Sequence, residues 1–158
     1  MIIRDYAPAD EEAVVALSLR AWAPVFASLE QALGRDLFAV LHPDWRQDQD
    51  KAVRAALADP AARIWVAADG PRPVGFVVAT MHSGQLIGEV CMLAVDPDHQ
   101  RQGTGATLTN TATDWLRSRG MRVAMIDTGG DPGHAPARRL YARMGYTELP
   151  IARYFQAL

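Results

Sequence analysis

The stretch Gln100-Arg101-Gln102-Gly103-Thr104-Gly105-Ala106 holds the residues best suited to chemistry on an anion. It lies between an apolar run ending at Val95 and an amphipathic stretch from Thr104, so it reads as a loop entering a helix. A helix N-terminus carries about half a positive charge and several unpaired N–H groups. Glycine at 103 and 105 lets those amides meet a phosphate with no side chain between, and Arg101 adds a charge-assisted contact. The site suits a pyrophosphate, although a plain tight turn would use the same glycines. Two other phosphate loops fit worse. Gly105-Ala106-Thr107 lacks the lysine of a Walker A loop. A dinucleotide fingerprint needs a small residue where Leu108 stands, and a tighter turn than the run from Asp96 to Gln102 allows, even though Asp127 sits where a ribose-binding acid would.

Other reactive groups are sparse. Cys91 is the only cysteine, which rules out an intramolecular disulfide and suits a reducing compartment. Its apolar neighbours, Val90 to Val95, predict an inert buried thiol. His42, His82, His99 and His134 lack metal-ligand spacing, so no metal is expected. A net charge of −2, from 16 basic and 18 acidic residues, argues against a nucleic-acid partner. No apolar run approaches the ~20 residues of a membrane helix. Met1 to Asp10 carries Arg4, Asp5 and Asp10 where a signal peptide would be apolar. A cytoplasmic protein without a membrane partner is the expectation.

The elements that must position the loop follow from periodicity. Ile2 to Tyr6 predicts a strand, and Asp10 a helix cap before Val14, Leu17, Ala21, Trp22 and Val25 at helical spacing. Pro24 should kink or end that helix. A second helical piece spans Leu29 to Leu41, broken at Gly34, and a third spans Asp44 to Ala58. Strands over Arg63–Ala67 and Val74–Ala79 form a hairpin. His82 to Gln85 turns into a strand from Leu86 to Val95, ended by Asp96-Pro97. A helix from Thr104 to Arg119, a strand from Arg122 to Asp127, a helix from Ala135 to Met144 and a last strand from Tyr146 complete the chain. The order predicts one α+β domain over residues 1–158, built on one mixed sheet.

From about Arg63 onward the chain resembles the GNAT acetyltransferases. Their signature, Gln/Arg-x-x-Gly-x-Gly/Ala after an apolar-Val-Asp-Pro phrase, matches Leu93-Ala94-Val95-Asp96-Pro97 and Gln100-x-x-Gly103-x-Gly105. A second phrase matches Leu140-Tyr141-Ala142-Arg143-Met144-Gly145-Tyr146. The resemblance implies a mostly antiparallel sheet flanked by helices, with two central strands splayed apart. It implies acetyl-CoA as cosubstrate, its pantetheine arm on the backbone of Leu93 and Val95 and its pyrophosphate over Gln100, Arg101, Gln102, Gly103, Thr104, Gly105 and Ala106. Tyr141 matches the tyrosine beside the cofactor sulfur. Many members carry asparagine seven residues earlier, contacting the cofactor; here His134 stands in that place. Homodimers are common in the family, and the strand from Tyr146 to Phe155 would take part.

The implied reaction is direct acetyl transfer to a primary amine of a small-molecule acceptor. Proximity supplies much of the rate, an amide near Val95 binds the oxyanion, and Tyr141 serves as general acid. Glu89, the only carboxylate in the strand Leu86 to Val95, is a candidate base, and alternation predicts it on one face with Cys91, Leu93 and Val95. It is equally suited to hold a cationic substrate or an arginine. His134 and a water chain are the alternative bases. Trp22, Phe26, Trp45 and His82 are candidates for the acceptor pocket. Competing readings are a non-catalytic acyl-CoA-binding module, an acetyltransferase acting on aminoacyl-tRNA, and a nicotinamide-dependent oxidoreductase.

Overall fold

The computed structural model describes residues 1–82 and 84–158; the predicted turn from His82 to Gln85 therefore lies partly outside the described residues, at Ser83. Five strands run β1 (Ile2–Asp5), β2 (Arg63–Asp69), β3 (Arg72–Met81), β4 (Ile87–Val95) and β5 (Val123–Met125). They lie side by side in that order, antiparallel except for the parallel pair β4–β5. Five helices flank them: α1 (Glu11–Leu33), α2 (Arg35–Leu41), α3 (Trp45–Ala58), α4 (Thr104–Ser118) and α5 (Ala135–Arg143). This is the expected α+β arrangement around one mixed sheet.

Each sheet face buries its own cluster. Alternation along β2 sends Ile64 and Val66 toward α1 and α3, where Val14, Val15, Leu17, Val53 and Leu57 meet them. Trp65 and Ala67 go the other way, against Leu108, Ala112 and Leu116 of α4. Those three α4 residues fall at helical spacing, which lets one stripe cover the sheet.

Several local expectations change. Pro24 neither ends α1 nor marks its boundary; the helix runs on to Leu33 and stops at Gly34, whose φ is +82°. Packing of a long amphipathic helix on the sheet outweighs one lost backbone bond. Asp10 precedes α1 but makes no cap bond. Its carboxylate instead accepts from Arg4 Nη1 and Nη2, at 2.7 and 2.8 Å, and from the Ala7 N–H at 2.9 Å. By length and composition, residues Pro8–Leu33 would pass for a membrane-spanning helix. In the fold this segment buries Val14, Val15 and Leu17 on the sheet and spends Arg20 on Asp96. The predicted terminal strand does not form: among the described residues nothing after Arg143 is helix or strand, and Leu149, Ile151 and Tyr154 are exposed.

The most consequential departure is in β4. Val78 pairs with Met92, but Ala79 pairs with Val90, so Cys91 is an extra residue, a β-bulge. The bulge shifts the pleat by one. Val90, Leu93 and Val95 face the α4 side. Glu89, opposite Thr80, and Cys91, bonded to Thr80, lie on the α1 side. The predicted common face of Glu89, Cys91, Leu93 and Val95 is therefore split in two.

Candidate active site

The site begins where β4 outlasts its neighbour. Parallel pairing runs from Ile87 with Val123 to Glu89 with Met125, and then β5 ends. On the far side, Asp96 N–H donates to Val74 O at 2.8 Å. Backbone groups alternate along a strand, so Met92 and Ala94 also address β3, while Leu93 and Val95 point their N–H and C=O groups into the gap beyond β5. Gln100 Nε2 donates to Val95 O at 3.0 Å. The gap widens into a cavity of about 930 Å³, walled by Val90 to Val95, by Ile126 to Thr128, by α1 at Trp22 and Val25, and by α5. That lies at the upper end of ligand-pocket volumes.

The glycine loop closes one end. Gly103 precedes α4 with φ +84°, and Arg101 adopts φ +60°, a conformation that costs a non-glycine residue about 1–2 kcal/mol. The turn bonds resume only at Thr107 N–H, which donates to Gly103 O at 3.0 Å. Among the described residues, the amides of Arg101 to Ala106 have no backbone acceptor. Such a row of unpaired donors at a helix start fits a pyrophosphate. Space beside Gly105 is tight: a Cβ there would stand 3.3 Å from the Leu140 side chain of α5. Arg20 of α1 holds the loop from behind, donating to Asp96 at 2.7 Å and to Asp98 at 2.8 Å.

Tyr141 lies on the α5 wall. Burial, helped by Tyr146, pushes its hydroxyl up to about 12, so it is a proton-bearing donor at any ordinary pH. Immediately before α5, His134 lines the same cavity and bonds the Asp131 carboxylate through Nδ1. Ser28 of α1 donates to Asp131 at 2.7 Å and accepts from Gly133 N–H at 2.9 Å. Burial opposes ionisation of Asp131, but the Ser28 and His134 bonds outweigh it and hold the carboxyl below its usual range.

The chain has counterparts among known proteins. The profile of the Acetyltransferase (GNAT) family matches residues 26–146. The chain belongs to the GNAT acetyltransferase family. A mycothiol acetyltransferase of Saccharomonospora viridis is 30% identical over 160 residues, covering 91% of this chain and 45% of its own. The chain thus spans less than half the length of that relative. Two solved N-acetyltransferase structures share the fold at lower identity. The PaiA N-acetyltransferase of Thermoplasma acidophilum, in complex with coenzyme A, has a TM-score of 0.67 and 12% identity over 90% of this chain and 87% of its own. The aminoglycoside 6'-N-acetyltransferase of Acinetobacter haemolyticus has a TM-score of 0.69 and 16% identity over 100% of this chain and 99% of its own.

Within this GNAT domain, the cavity gathers Leu93, Val95, Gln100, Arg101, Gly103, Gly105, Ala106, His134 and Tyr141. Gln102 and Thr104 belong to the loop but not to the wall: Thr104 is buried, with its hydroxyl against Met1 and His99. Glu89 is not brought to the cavity; its carboxylate lies 3.0 Å from His82 Nε2. Cys91 is exposed rather than buried, because the bulge turns it out of the pleat. Trp22 reaches the cavity, while Phe26 stacks on Trp45 at 4.5 Å between ring centroids, away from the wall. Arg139 and Arg143 were not singled out by sequence; their spacing of four with the Tyr141 phrase between them was the available sign.

Proposed function

We propose that the protein transfers the acetyl group of acetyl-CoA directly to a primary amine of a small-molecule acceptor. The observation that carries this reading is the continuous cleft from the unpaired loop amides, past Leu93 and Val95, to Tyr141. An amide-rich pantetheine arm completes the strand pairing that β5 leaves unmade, as an added strand would. The diphosphate takes the loop amides, with Arg101 as counter-charge. Thioester and acceptor then meet between α1, β4 and α5, where proximity does much of the work. A backbone N–H of β4 near Val95 receives the oxyanion in this reading.

Tyr141 acts on the leaving sulfur. Full transfer from a phenol near 12 to a thiolate whose ordinary pKa is about 8.5 is uphill by about 5 kcal/mol. Its main contribution is therefore a hydrogen bond that strengthens as charge builds on sulfur. The relatives named for mycothiol and aminoglycosides favour a small-molecule acceptor. Thiol release from acetyl-CoA over a panel of amino acids, polyamines, aminosugars and aminoglycosides tests the reading. Turnover with one class identifies the acceptor. Binding of acetyl-CoA without turnover on any amine would support a binding module instead.

A further inference from the structure

We propose that His134 is the general base of the transfer and that Asp131, tied to Ser28 of α1, is the positioning residue that sets its tautomer. This rests on the acetyl-transfer reading above. An ionised carboxylate can only accept, so in the bond between them His134 Nδ1 donates to Asp131 Oδ1 and carries the ring proton. The lone pair is left on Nε2, which has no protein partner among the described residues, and the ring lines the cavity. The geometry is that of a base held by an orienting group, with a third residue holding the orienter.

The supports come from three elements. Ser28 donates to Asp131 Oδ2 at 2.7 Å from α1. Arg138 of α5 donates to the carbonyls of Gly129 and Asp131, closing the turn from within. Gly129 leaves room for the ring: a Cβ there would lie 2.4 Å from His134 Nδ1. The charged groups of the turn are thus Asp131 and Arg138, while Arg101, Asp127 after β5, and Arg139 and Arg143 of α5 line the same cavity as the imidazole. The α1 wall of the cavity is uncharged, formed by Ala21, Trp22, Pro24 and Val25. Glu89, by contrast, lies on the α1-side face of the sheet, paired with His82 and absent from the wall.

In the step, the neutral amine nitrogen bonds to the thioester carbonyl carbon and loses one proton to His134 Nε2. The C–S bond breaks with its electron pair on sulfur, which takes one proton from solvent under the Tyr141 hydrogen bond. The imidazolium returns its proton to solvent, so amide and thiol are the net products.

Asparagine keeps a hydrogen-bonding side chain but takes up no proton, so it supplies the decisive variant. A cofactor contact alone would be kept by His134→Asn, whereas a base would be lost. The expected result is a fall in kcat of about 10²- to 10⁴-fold with KM for acetyl-CoA nearly unchanged. Asp131→Asn offers an N–H to Nδ1, moves the ring proton to Nε2, and should lower kcat by about 10²-fold. In the wild-type protein, long-range ¹H–¹⁵N spectra of the neutral ring should show the proton on Nδ1. This readout needs neither an acceptor nor a variant, so it fails or succeeds apart from the transfer reading. Full kcat in His134→Asn, or a wild-type ring protonated on Nε2, overturns the proposal.

Discussion

Gly103→Glu separates binding from folding at the phosphate loop. Gly103 has φ +84°, and a Cβ there would meet no atom within 4 Å. A Cβ is therefore accommodated, and the structural cost of adding it is backbone strain of about 1–2 kcal/mol. The new carboxylate projects from the loop whose amides lack acceptors. About 4 Å from a phosphate charge, at an effective dielectric near 20, it costs about 4 kcal/mol of binding. That is close to a 10³-fold loss of coenzyme A affinity. Gly103→Ala carries the same strain without the charge. It should lower Tm by about 2–8 °C while leaving affinity within about threefold. Calorimetric titration of coenzyme A into both folded variants measures the difference. Equal affinities would show that the phosphates bind elsewhere.

Three further outcomes are expected. Tyr141→Phe, which removes one hydrogen-bond donor to the developing thiolate, should lower kcat by about 10²-fold with little change in KM for acetyl-CoA. Because the neutral phenol is the donor and persists up to about 12, no alkaline limb below that pH should belong to Tyr141; one that disappears in the phenylalanine variant would contradict this. Gly88→Ala would set a Cβ 2.2 Å from Leu116 Cδ2 in the α4 core, costing about 1–3 kcal/mol, and thermal unfolding should show partial recovery with Leu116→Ala. Arg4→Gln should cost about 1.5–3 kcal/mol at neutral pH by leaving Asp10 without its charged partner. The Arg4 bond, against opposing burial, holds Asp10 below its ordinary range. That stabilisation is present above the unfolded carboxylate pKa and is lost as pH falls through the folded one. Acid unfolding should therefore begin at higher pH in the variant; an unchanged midpoint would refute the pairing.

Much of the scaffold was legible because single residues carried strong signals. The break expected at Gly34 within the second helical piece is real, although the residues before it continue α1, and Asp44 caps α3 by accepting from Gln47 N–H at 3.1 Å. The loop from Gln100 to Ala106 announced itself by glycine spacing, yet the left-handed Arg101 left no trace in residue type. The β4 bulge was hidden for a different reason. Val90 to Val95 is apolar on both faces, so there was no alternation for an extra residue to interrupt. That concealed the separation of Glu89 from the cavity. The terminal segment read as a strand from its apolar residues, but a strand also needs a free edge long enough to pair, and β5 has only three residues. Ser28 and Asp131 are 103 positions apart, a contact that only the docking of α1 on the last turn creates.

The central claim, that the gap beyond β5 is the acetyl-CoA cleft, is tested most directly by amide hydrogen exchange with and without acetyl-CoA. The predicted result is new protection at Leu93 and Val95 and across Arg101 to Ala106, with β1 and β2 unchanged. Unaltered exchange at Leu93, Val95 and the loop under saturating acetyl-CoA would contradict it.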